Sequence, residues 1–200
     1  MNTTASALRR GRRLEVLTLA WNSVEGVVSV VAGALAGSTA LVGFGVDSFI
    51  ESASGATLLW RLQDGEHRRE EAALRLVGLS FLLLAAYVAW EASRSLILRE
   101  PPDVTWLGIV IAALSLMVMP WLARQKRKVA ATLESRALEA DSHQTDLCAY
   151  LSAILLGGLL LNAILGWWWA DPVAALAMVP IITNEGVRAL RGEGCDEQCH

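Results

Sequence analysis

The sequence predicts an all-α integral membrane protein with six transmembrane helices, both termini in the cytoplasm and no large soluble domain. Three observations carry this expectation. Apolar residues fill 54% of the 200 positions and charged residues 18%, with a mean hydropathy of +0.43. That leaves too little polar surface to solvate a soluble domain of this length. Apolar stretches fall at 14–36, 39–62, 74–97, 104–123, 147–168 and 172–190, each near the roughly 20 residues that a helix needs to cross a bilayer. The basic residues gather on one side of those stretches.

Taken in order, the first two stretches are separated only by Gly37-Ser38, the third and fourth by a Pro101-Pro102-Asp103 turn, and the last two by a Trp167-Trp168-Trp169-Ala170-Asp171 corner. The other connections are longer and basic. Arg9, Arg10, Arg12 and Arg13 precede the first stretch; Arg61, Arg68, Arg69 and Arg75 surround the second connection; Arg124, Lys126, Arg127, Lys128 and Arg136 fill the fourth; Arg188 and Arg191 end the sixth. Of the 17 Lys and Arg residues only Arg94 and Arg99 fall on the opposite side, so the positive-inside rule places both termini in the cytoplasm of a cell inner membrane. The division is then a basic N-terminus at 1–13, a transmembrane domain at 14–191 and a Cys/His tail at 192–200. Asn22 and Glu25 interrupt the first apolar run, which argues against a cleaved signal peptide.

Nothing in the charge pattern suggests nucleic-acid binding. The run Arg124 to Lys128 reads as a topology anchor against anionic lipid headgroups. Cys148, Cys195 and Cys199 all fall on or near the cytoplasmic side, where reduced thiols are expected. The tail residues Cys195, Cys199 and His200 have metal-ligand chemistry, but in a looser spacing than a closed C-x-x-C site; a polar terminus explains them equally well. No H-E-x-x-H, G-x-S-x-G or nucleotide-binding loop is present, so the chain is not expected to be an enzyme.

The informative residues are the polar ones at membrane depth, where an ionisable group costs about 2.5 to 3.5 kcal/mol on insertion scales and is usually functional. Asp47 and Glu51 stand four apart, which puts both carboxylates on one helical face. Two anions that close in a low dielectric take up a proton or hold a cation, which is the logic of an ion-exchange site. Asn22 and Glu25 lie on the first helix, where they supply a supporting hydrogen bond or proton relay, or an interhelical bond worth roughly 1 kcal/mol. The start of the fifth helix carries Asp141, His143, Gln144, Asp146 and Cys148. Gly33 and Gly37, with Gly43 and Gly45, are read as sites of close helix approach.

These residues carry a resemblance. The passage from Ala36-Gly37-Ser38-Thr39-Ala40-Leu41 to Asp47-Ser48-Phe49-Ile50-Glu51 resembles the G-S-x-A-L segment and D-S-x-x-D metal pair of the cation diffusion facilitator family. Ser135-Arg136-Ala137-Leu138-Glu139-Ala140-Asp141 is similar to that family's S-x-A-L-x-A-D segment before the fifth helix, and Trp169-Ala170-Asp171-Pro172 to its W-x-D-P corner. The resemblance implies a divalent-metal transporter that works by proton-coupled alternating access, as a homodimer in the bilayer, with no tightly bound cofactor. It also shows a departure: the family's fifth helix reads D-x-x-H-x-x-x-D, and a gapless count from Asp141 puts Gln144 at the His position and Cys148 at the second Asp. The implied ligands are Asp47, Glu51 and Cys148, completed by Gln144 or Asp141. His143, Asp146 and Glu25 stand behind them, the first two as ligands only if the helix is rotated or a residue deleted, since each residue turns the face by about 100°. Asp141 is alternatively a helix N-cap, and Cys148 a small apolar filler. Two carboxylates and a thiolate suit Zn²⁺, with Cd²⁺ or Co²⁺ possible and Mg²⁺ disfavoured. The alternative is a membrane metal-binding protein that senses or hydrolyses without transport.

Overall fold

The computed structural model describes residues 2–64, 67–133 and 136–191, and within them the side chains of all but 2–5, 57–74, 136–137 and 140. These residues form helices α1 (Asn2–Ala36), α2 (Thr39–Asp64), α3 (His67–Leu98), α4 (Trp106–Leu133), α5 (Arg136–Leu165) and α6 (Ala170–Arg191), with no strand among them. Five of them, all but α2, are long and apolar enough to cross a membrane. Helix α2 falls short because its described part carries Asp47, Glu51 and the serines Ser48, Ser52 and Ser54. Asp47, Ser48 and Glu51 are buried, so the polarity that lowers the hydropathy of α2 is turned inward.

Short local signals set the helix ends. Gly37 stands just past α1 with φ 67°, a conformation that glycine adopts without a Cβ penalty, and Ser38 N–H closes back on Gly33 O at 2.9 Å to satisfy an orphan carbonyl. Gly37 is therefore a turn residue. Gly33 does allow close approach: a Cβ there would lie 2.8 Å from Val42 N of α2. Gly45 does the same, since its Cβ would meet Val30 N at 2.8 Å and Gly26 O at 2.9 Å on α1. At the start of α2 the Ser38 hydroxyl accepts the Leu41 N–H at 3.1 Å, and at the start of α4 Thr105 Oγ1 accepts the Gly108 N–H at 3.2 Å; both are N-caps.

The helices pack as a ring in which α1 touches α2 and α4, α4 touches α5, α5 touches α6, α6 touches α3 and α3 returns to α2. Helix α2 also contacts α5 and α6 across the ring, so its polar face looks into the bundle. The outward surface carries Leu35, Trp90, Ile97, Met117 and Ile164, each more than 70% exposed. So much exposed apolar surface is what a lipid-facing wall presents.

The fourth basic run is not uniformly a surface anchor. Lys126 is fully buried, and its ammonium bonds to Asp141 at 2.5 Å, Glu15 at 3.3 Å and Thr145 at 3.3 Å. A buried ammonium persists only when several acceptors replace its lost water, and here three acceptors from α1 and α5 close on it. The tail residues Cys195, Cys199 and His200 lie outside the described residues.

Candidate metal centre

Asp47 and Glu51 occupy the inward face of α2, one turn apart and almost wholly buried at 5% and 7% exposure. They line a small cavity together with Gln144 and Cys148 of α5 and Glu185 of α6, walled by Phe81, Leu151 and Ile182. The spacing that puts Asp47 and Glu51 on one face of α2 also puts Gln144 and Cys148 on one face of α5, and the two faces meet at the cavity. Glu51 Oε2 accepts from Asn22 Nδ2 at 2.9 Å, while its Oε1 has no hydrogen-bond partner. Ser54 Oγ donates to Gln144 Oε1 at 3.4 Å. Among the described residues no three His, Cys, Asp or Glu side chains converge closely enough to hold a metal ion, so these groups line the cavity without closing a coordination sphere.

The other residues singled out from the sequence lie elsewhere. Asp141 is held by Lys126 rather than facing the cavity. It is not the N-cap of α5, which starts at Arg136 and so places Asp141 in the second turn. His143 is exposed. Asp146 pairs with Arg127 at 2.7 Å. Glu25 is fully buried one turn beyond Asn22, away from the cavity lining. Of the two faces of α5, the one that carries Gln144 and Cys148 is thus the one brought opposite Asp47 and Glu51.

Glu185 is the cavity residue that sequence reasoning missed. Its signal was present, a carboxylate in the otherwise apolar sixth stretch, but Arg188 nearby suggested only the end of a span. Arg188 does approach it, at 3.6 Å. With Glu185 the cavity is lined by three carboxylates and a thiol and, among the described residues, by no basic residue. Such a lining raises the local concentration of cations.

Residues 16–193 match the model of the cation efflux transmembrane domain. The chain is 26% identical over 172 residues to the cation-efflux pump FieF of Shewanella oneidensis, covering 79% of this chain and 57% of the pump. It is 24% identical over 188 residues to transmembrane protein 163 of Xenopus laevis, covering 89% of this chain and 67% of that protein. An uncharacterized transporter of Synechocystis is 26% identical over 171 residues, covering 80% of this chain and 55% of the relative. The chain thus spans between about half and two thirds of the length of these relatives. A family match over most of the chain, laid on a helical bundle with a small acidic cavity, identifies this protein as a member of the cation efflux family of membrane transporters.

Proposed function

We propose that the chain carries a divalent metal cation, Zn²⁺ or a chemically similar ion, out of the cytoplasm in exchange for protons. The observation that carries this reading is the convergence of Asp47 and Glu51 on α2 with Gln144 and Cys148 on α5 around one small cavity. The carboxylates and the thiolate are the metal ligands, Gln144 completes the set, and a small closing movement of α2 against α5 brings them to bonding distance. Zinc tolerates this mixed oxygen and sulfur set, whereas Mg²⁺ demands oxygen alone. Protons compete for the same carboxylates, so metal binding expels protons on one side and protonation releases metal on the other. Alternating access then needs the bundle to open the cavity to each side in turn. In this reading α2 also spans the bilayer, both termini face the cytoplasm across the inner membrane, two copies form a homodimer, and no resident cofactor or enzymatic step is involved.

The test is metal flux into proteoliposomes. Wild type should accumulate Zn²⁺ or Cd²⁺ and alkalinise the lumen in step, since protons leave as metal enters, while Asp47→Asn and Glu51→Gln should each abolish flux yet remain inserted and folded. Transport retained in both variants would place the ion path elsewhere.

A further inference from the structure

The cavity has a floor and a rim. Asp47, Glu51 and Cys148 are buried, whereas Gln144 and Glu185 are half-buried, and the Glu185 side chain keeps 18% of its surface exposed. Helices α5 and α6 pack against each other across a short corner, so they run antiparallel, and the start of α5 lies at the same end of the bundle as the end of α6. Gln144 stands near that start, at Arg136, and Glu185 near that end, at Arg191. The rim therefore faces the end of the bundle that is cytoplasmic in the orientation proposed above.

A fixed backbone presents Glu185 there. It follows Ile181 and Ile182, which also line the cavity, by four and three residues, so the three share one face of α6. The next residue, Gly186, is pressed on α3: a Cβ there would lie 3.0 Å from Gly78 O. With the helix held, only the carboxylate is left to swing. Its Oε1 is enclosed yet accepts no hydrogen bond. Arg188 stands 3.6 Å from that oxygen, beyond hydrogen-bond distance, in a partly exposed pair of the kind that holds its partners weakly. On the inner side, the charge of Glu185 reaches Asp47.

A carboxylate in this place is surplus to the bound ion. Asp47, Glu51, Cys148 and Gln144 already supply the four ligands of a zinc-like ion, so the use of Glu185 lies in the ion's approach. An anion at a cavity mouth raises the local concentration of cations and their rate of entry. We propose that Glu185 is the docking carboxylate of the cavity: it takes the divalent ion first, at the rim, in exchange for Arg188, and passes it inward to Asp47. Arg188 then returns to Glu185 and helps to release the ion inward. This inference rests on the transport reading above and adds to it a residue and an order of contacts.

Zn²⁺ uptake into proteoliposomes with an acidic lumen is measured against external Zn²⁺, per inserted and folded molecule, for wild type and four variants. Glu185→Gln should raise KM about tenfold, the loss expected of one contact to a charged group, with a smaller effect on maximal flux. Glu185→Asp keeps the charge and should bring KM back close to wild type. Arg188→Gln removes the competitor and should lower KM about two- to fivefold, and it should lower maximal flux as well because the ion lingers at the rim. Asp47→Asn should not transport. A KM unchanged in Glu185→Gln, which is what a packing role predicts, overturns the proposal, as does a KM raised equally in Glu185→Asp. Should Glu185→Gln fail to insert, a KM in Arg188→Gln no lower than wild type overturns it. Any of these beside an active wild type and an inactive Asp47→Asn leaves the transport reading standing. No flux in wild type, or flux that survives in Asp47→Asn, overturns both.

Discussion

Ser38 and Asp171 are separated by 133 residues and joined by a 2.5 Å hydrogen bond in which the serine hydroxyl donates. The same hydroxyl caps α2 by accepting the Leu41 N–H, and the other Asp171 oxygen accepts the Ala40 N–H at 3.4 Å. One buried carboxylate thus pins the α1–α2 turn to the start of α6. Two of the motif segments that carry the family resemblance, Gly37-Ser38 and the Trp-Ala-Asp-Pro corner, meet here in space, and their shared role is architectural.

Asp171→Ala should therefore lower stability by roughly 1 to 3 kcal/mol, since it leaves the Ser38 hydroxyl and the Ala40 N–H without their buried acceptor. Asp171→Asn keeps an acceptor oxygen and should lose less. Thermal unfolding in detergent measures both. Metal flux per folded molecule should change little, because Asp171 does not line the cavity.

Lys126→Met should be more damaging. It strands Glu15 and Asp141 inside the bundle without their cation, and breaking a buried pair from one side costs about 3 to 5 kcal/mol. The triple variant Lys126→Met/Glu15→Gln/Asp141→Asn removes the stranded charges and should regain most of that loss. Unfolding curves for the single and triple variants decide the matter; a triple variant no more stable than the single one would show that the network does not act through its charges.

This network also marks where sequence reasoning stopped. The helical class was legible because apolar runs of spanning length are hard to mistake. The inward face of α2 was legible because carboxylates four residues apart in an apolar run must share a face. Lys126 was not: in Arg124-Gln125-Lys126-Arg127-Lys128 every basic residue looks alike, and only packing shows that Arg127 meets Asp146 in a partly exposed pair while Lys126 turns inward. Asp141 fell with it, since a motif carboxylate near a metal site and a partner for a buried lysine look the same in one dimension. Glu185 was passed over because an acidic residue followed three positions later by arginine fits an ordinary surface pair.

Gly78 and Gly157 offer a matched test of helix packing. A Cβ on Gly78 of α3 would lie 2.8 Å from Gly186 O and 2.9 Å from Leu190 N of α6. Both are backbone atoms that cannot yield without moving a helix. Gly78→Ala should thus cost about 1 to 3 kcal/mol by overpacking. Nothing lies within 4 Å of a Cβ on Gly157, and Gly157→Ala in mid-helix should gain up to about 1 kcal/mol from propensity. Opposite shifts in unfolding temperature are the expected reading.

Cys148 decides whether the departure from the family's fifth-helix pattern is a change of metal preference. Its side chain is 2% exposed and lines the cavity beside Gln144, one helical turn away on the same face. If the thiolate is a ligand, Cys148→Ser keeps the volume but replaces a soft donor with a hard one, so Cd²⁺ affinity should fall more than Zn²⁺ affinity. Cys148→Asp should move preference further, toward harder ions. A Cys148 that only fills space predicts a small packing loss and no change in the ratio. His143→Ala/Asp146→Ala serves as the control for the other face of α5: His143 is exposed and Asp146 is engaged by Arg127, so this double variant should transport as wild type does. Zn²⁺ and Cd²⁺ affinities measured side by side in the three variants separate the readings, and a Zn/Cd ratio unchanged in Cys148→Ser would remove the thiol from the ligand set.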